Sequence, residues 1–139
     1  MLETQDIING KLDGQKIWIC DLRYNDYSNK PVRHVIPMEV FVVNKDKVNK
    51  KIYYSNSCFL KINKNGEAVN SAVIPLFDNT GFRSYTGEPV KCFDNKEECI
   101  DYYKKQAQEA IKGLSNHLKD FTEDINDKIQ GIKNLVSEF

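Results

Sequence analysis

The side chains able to do chemistry in this chain are few, and their spacing points away from catalysis. The two histidines, His34 and His117, stand apart from one another and from every cysteine. His34 follows Arg33 inside a β-rich run, and His117 precedes Leu118 on the flank of a helical pattern. A lone histidine in either setting is more often a packed or half-exposed residue than a general base. The four cysteines, Cys20, Cys58, Cys92 and Cys99, form no Cys-x-x-Cys and no Cys/His ligand spacing. Cys20, Cys58 and Cys92 lie inside hydrophobic runs, where a free thiol behaves as a small core residue. Carboxylates gather at Glu97, Glu98 and Asp101 and again at Asp120, Glu123, Asp124 and Asp127. Helix capping explains the first group, and a solvated face or a second cap explains the other. Neither has the alternating oxygen ligands and glycine of a calcium loop. The loop from Gly81 to Gly87 lacks a Gly-Lys-Ser/Thr ending and leads into a strand rather than a helix, so the mechanics of a phosphate loop are missing. No catalytic, cofactor-binding or metal-ligating residue is assigned, and the expectation is a protein that is not an enzyme.

Binding residues are easier to find. Arg23-Tyr24-Asn25-Asp26-Tyr27 and Arg83-Ser84-Tyr85 put two of the three arginines beside tyrosines in segments with turn composition. Tyr and Arg are enriched at protein-binding hot spots because they bury large areas while keeping polar tips. The same pair can stack single-stranded bases and contact phosphates. Arg23, Tyr24, Tyr27, Arg83 and Tyr85 are therefore the candidate partner-binding set. Lys45, Lys47, Lys50 and Lys51 make a basic tip interrupted by Asp46, a pattern that protects sheet edges.

Composition bounds the function classes. Lys plus Arg equal Asp plus Glu at 20 each, so the chain as a whole has no field to draw nucleic acid or an anionic membrane. The charge is split, with about +3 on residues 1–93 and about −3 on residues 94–139. No apolar run approaches the ~20 residues of a membrane span, and the polar opening Met1-Leu2-Glu3-Thr4-Gln5-Asp6 is not a signal peptide. A reduced cytoplasmic protein is expected.

The elements that must carry these residues divide at Asp94. Before it, Lys16–Arg23, Val32–Val43, Lys51–Ile62, Ala72–Phe77 and Pro89–Phe93 read as strands rich in β-branched and aromatic residues. Pro37 marks an edge, a bulge or a bend in the second, and Asn63-Lys64-Asn65-Gly66 is a tight turn. Residues 3–12 make one helical turn or an irregular arm. Five short strands with a long loop after the first are analogous to an SH3-like barrel, with an open antiparallel sheet as the competing arrangement. The fold class is α+β, with residues 1–93 a small β-rich domain and 94–139 a C-terminal helical extension.

That extension opens on Asp94-Asn95-Lys96-Glu97, a capping box with Asp as the cap. Apolar residues then recur at steps of three and four from Ile100 to Phe139. One helix of that length would be about 65 Å long, more than a body of some 90 residues can cover. Either the helix breaks and folds back, or its distal half finds another chain, including a homodimer through this helix. Asp120-Phe121-Thr122-Glu123 repeats the cap signal, so two helices with a turn near 119–123 are favoured over one rod.

The stretch Pro75-Leu76-Phe77-Asp78-Asn79-Thr80-Gly81-Phe82-Arg83-Ser84-Tyr85-Thr86-Gly87, followed by Phe93 and Glu97-Glu98-Cys99, resembles small uncharacterised accessory proteins of tailed phages over about a quarter of the chain. The resemblance implies a non-enzymatic protein that binds and inhibits or redirects a host or defence protein, in the host cytoplasm. A nucleic-acid-binding small barrel is the alternative.

Overall fold

The computed structural model describes residues 1–24, 31–77 and 88–138, with backbone alone at 24 and 31–33. The elements are α1 (Thr4–Ile8), β1 (Lys16–Tyr24), β2 (Pro31–Asn44), β3 (Ser57–Ile62), β4 (Ala68–Ile74), β5 (Lys91–Phe93) and α2 (Lys96–Ser137). A single 3-10 turn, Lys45–Lys47, follows β2. The strands form one open antiparallel sheet in the order β4-β3-β2-β1-β5. It is a four-strand meander whose last strand returns beside the first. The five-stranded α+β arrangement expected from the sequence is what forms, and it takes the open-sheet version. Among the described residues no ladder joins β4 to β5.

Alternation along β1 gives the sheet two working faces. Ile17 and Ile19 point into the main core with Val40, Val42, Phe59, Leu76, Val90 and Ile7 of α1. Trp18 and Cys20 point the other way, toward α2. The β1–β2 register slips at Cys20 and again between Arg23 and Tyr24. Ile19 pairs with Met38 and Asp21 with Val35, so Ile36 and Pro37 together oppose Cys20. This is a bulge, and it accommodates a proline that cannot donate to the ladder.

Two strands start four or more residues from where the sequence reading puts them. The third strand starts at Ser57 rather than Lys51, because Tyr54 adopts a left-handed φ of 65° and ends the extended run. Ser55 then closes a local turn, donating from Oγ to the Ser57 carbonyl at 2.8 Å and accepting from the Ser57 N–H at 3.2 Å. The fourth strand starts at Ala68 rather than Ala72, because the Asn63–Gly66 turn is tight enough to pair Ile62 with Ala68 at once. Gly66 sits at φ 80°, and the Asn63 side chain accepts from the N–H groups of Asn65 and Glu67.

The helical extension corrects two expectations. The cap is Asn95, whose side chain accepts from the Glu98 N–H at 2.8 Å, and the helix begins at Lys96. The box is therefore displaced by one residue, and Glu98 pairs with the Met1 amino group instead of reaching back to the cap. The favoured two-helix reading also fails. α2 is one helix of 42 residues. At the expected break Thr122 stays in the helix and donates from Oγ1 to the Leu118 carbonyl at 2.8 Å. No proline interrupts this stretch, and a cap-like Asp-x-x-Glu starts a helix only where the chain before it has left helical geometry.

Candidate functional site

The first three turns of α2 are built into the body. Phe93 and Cys20 of the sheet and Cys99 of the helix are fully buried together, with Trp18, Tyr102 and Tyr103 packed around them. Phe93 and Tyr102 lie 5.4 Å apart between ring centroids in a tilted pair, and the Lys96 ammonium stands 5.7 Å from the Trp18 ring. His34 Nε2 and the Tyr103 hydroxyl share a hydrogen bond of 2.6 Å, their rings stacked at 6.1 Å. His34 thus ties β2 to the helix, a positioning task that accounts for it without chemistry.

Beyond the body the helix changes character. Half-buried positions end at His117, and every side chain of residues 118–138 is exposed. The apolar stripe nevertheless continues through Leu118, Phe121, Ile125, Ile129, Ile132, Leu135 and Val136, with exposures between 37% and 69%. Contiguous apolar surface beyond a few hundred Å² is rare on a monomer and marks an interaction site. This uncovered face is the feature of the molecule most in need of a function.

The residues singled out from the sequence fare differently. Tyr27, Arg83 and Tyr85 lie outside the described residues, and of Tyr24 only the backbone is described. Arg23 belongs to β1 rather than to a loop. Its Nη2 donates to Oδ2 of the buried Asp21 at 2.8 Å, while its buried Nε meets no acceptor among the described residues. One of its five N–H donors is thus committed to a buried carboxylate within its own strand.

Sequence reasoning missed two surfaces. A shallow groove of about 510 Å³ opens on the sheet between Phe41, Val43, Leu60 and Ala68, with Lys47 and Glu67 at its rim. Phe41, Val43 and Leu60 fall in runs that read as strands, and nothing in a strand pattern distinguishes a covered face from an open one. Tyr53 and Tyr54 are exposed and paired at 6.2 Å, with Lys51 5.3 Å from the Tyr53 ring. They were read as strand, and only the turn at Tyr54 brings them out.

The thiols are set against reactivity. All four cysteines are free and buried. Cys20 donates toward the Cys99 carbonyl at 3.5 Å, and its hydrogen bond with Cys99 followed by burial holds its thiol well above the ordinary range. Burial, reinforced by Asp13 and partly offset by Lys50, pushes Cys58 up to about 11. The hydrogen bond with Cys20 lowers Cys99, but its thiol is fully buried, and buried thiols out of reach of solvent are poor nucleophiles and poor metal ligands. Among the described residues no group of three His, Cys, Asp or Glu side chains is placed to hold a metal. Nor, among the described residues, is any helix long and apolar enough to cross a membrane. No protein-family model, curated protein or solved structure matches the chain.

Proposed function

We propose that this chain is a non-enzymatic protein-binding module and that its docking element is the distal part of α2. The observation that carries this reading is the apolar stripe from Leu118 to Val136, exposed along its whole length on a helix whose first turns are fixed to the sheet. A helix presenting such a face is the geometry of helix-mediated recognition, in which residues at three- and four-residue steps enter a partner's apolar surface. The composition supports it as well. Residues 118–138 include Thr122, Asn126, Gly131 and Asn134 among β-branched residues, all weak helix formers. Such a stretch stays helical in water when another surface packs along it.

The resemblance of residues 75–99 to phage accessory proteins supports a host or defence protein as the kind of target this module inhibits or redirects. Four thiols in the reduced state support a cytoplasmic setting. The nucleic-acid reading has less behind it, because α2 and its flanks carry a net charge of about −3 and repel phosphate.

Lys119, Lys128 and Lys133 place amines along the arm, so amine-directed crosslinking in cells followed by peptide mapping tests the proposal. Crosslinks from these lysines to another polypeptide chain are expected. Crosslinks confined to the chain's own body would refute it.

A further inference from the structure

We propose that the occupant of the exposed stripe is a second copy of this chain, joined through residues 118–135 of α2 as an antiparallel two-helix coiled coil. The inference rests on the protein-binding reading above and names its partner.

The stripe has a stricter period than amphipathicity requires. Positions 118, 121, 125, 128, 132 and 135 alternate steps of three and four, which is the seven-residue repeat of a coiled-coil seam. Leu118, Ile125 and Ile132 take one core position of the repeat, and Phe121, Lys128 and Leu135 take the other. Ile129 and Val136 widen the seam on one side. The seven apolar side chains present roughly 800 Å², the share each partner brings to a standard-size interface.

Orientation follows from Lys128, the one charged residue in the seam. A parallel pair sets Lys128 against Lys128 of the second copy, two ammonium groups facing each other in a desolvated layer. An antiparallel pair in which Leu118 meets Leu135, Phe121 meets Ile132 and Ile125 meets Lys128 separates them. That register brings each Lys128 level with Asp124 of the second copy. Lys128 already holds Asp124 of its own helix at 3.0 Å, so the centre becomes a cluster of two ammonium and two carboxylate groups. The seam also starts at Leu118, where complete exposure of the helix begins. The paired stretch is about 27 Å long, and the antiparallel arrangement sets one body at each end.

Sedimentation equilibrium on the full chain should give a mass of twice 16.1 kDa. The paired variant Ile125→Asp/Ile132→Asp should be monomeric with the body still folded, as read from Trp18 emission. Lys128→Glu, on an exposed side chain that does not hold the fold, should weaken self-association at least about tenfold. Under mild oxidation, Leu118→Cys chains mixed with Leu135→Cys chains should form a mixed disulfide, and neither should bond to itself. Leu135→Cys bonding to itself would overturn the antiparallel assignment, and a dimer lacking the 118–135 bond would overturn the register. Wild-type chain that stays monomeric at about 100 μM would overturn self-association altogether. In that case arm crosslinks to a foreign protein in cells leave the protein-binding reading standing, and an absence of arm crosslinks removes both.

Discussion

Two phenylalanines of α2 and its anchor separate the built-in part of the helix from the arm. Phe93 is 1% exposed and packs on Cys20, Cys99 and Tyr102, whereas Phe121 is 58% exposed. Phe93→Ala removes a fully buried ring and leaves a cavity between sheet and helix, a change that costs about 3–5 kcal/mol. Losing the tilted pair with Tyr102 puts the value in the upper part of that range. With an unfolding entropy of about 2.1 cal/mol/K per residue, a loss of about 4 kcal/mol lowers the melting temperature of this chain by about 12–14 °C. The assay is equilibrium denaturation followed by the emission of Trp18, the sole tryptophan, which lies in the same cluster. Phe121→Ala, compared at a dilution where the chain is monomeric, should change stability by less than ~0.5 kcal/mol. A cost below ~1.5 kcal/mol for Phe93→Ala would refute the reasoning, because it would mean that α2 is not packed on this face of the sheet. Equal effects of the two substitutions would refute it as well.

Two further outcomes are expected. Asn95→Ala should destabilise the protein by about 1 kcal/mol in thermal or chemical denaturation, and Asp94→Ala by clearly less; the reverse order would return the cap to Asp94. A thiol-specific reagent should find no fast-reacting cysteine in the native protein between pH 7 and pH 9, since all four thiols are buried, Cys20 and Cys58 are raised above the ordinary thiol range, and Cys99, lowered by its hydrogen bond with Cys20, is fully enclosed; one rapid equivalent at neutral pH would contradict this.

What could be read in the sequence was whatever a local period encodes. The β-forming run Lys16–Arg23 announced a strand, and an edge, a bulge or a bend at Pro37 followed from its missing N–H. The stripe along α2 was equally plain. Its continuity across residues 119–123 was not, because an Asp-x-x-Glu pattern is written the same way at a helix start and inside a helix. The Asn95 cap was missed for a related reason: Asp94 and Asn95 are both good caps, and the pairing of β5 with β1, a non-local contact, decides which one leaves extended geometry. The groove beside Phe41 and Leu60 was invisible because a strand pattern does not say which half of a face the helix will cover. The engagement of Arg23 with Asp21 is a local contact between residues two apart on one face of β1, but spacing alone does not say which side chains bond.

The return of β5 to the side of β1 has a consequence for the order in which the molecule assembles. β1 to β4 form by successive neighbouring pairings, but β1 receives its second partner only from residues some 70 positions later. Closing so long a loop is slow compared with forming the hairpins, so the free side of β1 and the Trp18–Cys20 face are completed last. On a ribosome making about 5–20 residues per second, that face waits for several seconds until Phe93, Cys99 and Tyr103 have been made. The same late segment then covers the strand and fixes the base of the arm. Nascent chains therefore acquire the base of the arm only after the first four strands are made, and the exposed stripe beyond Leu118 is held out from the body only once that base is in place.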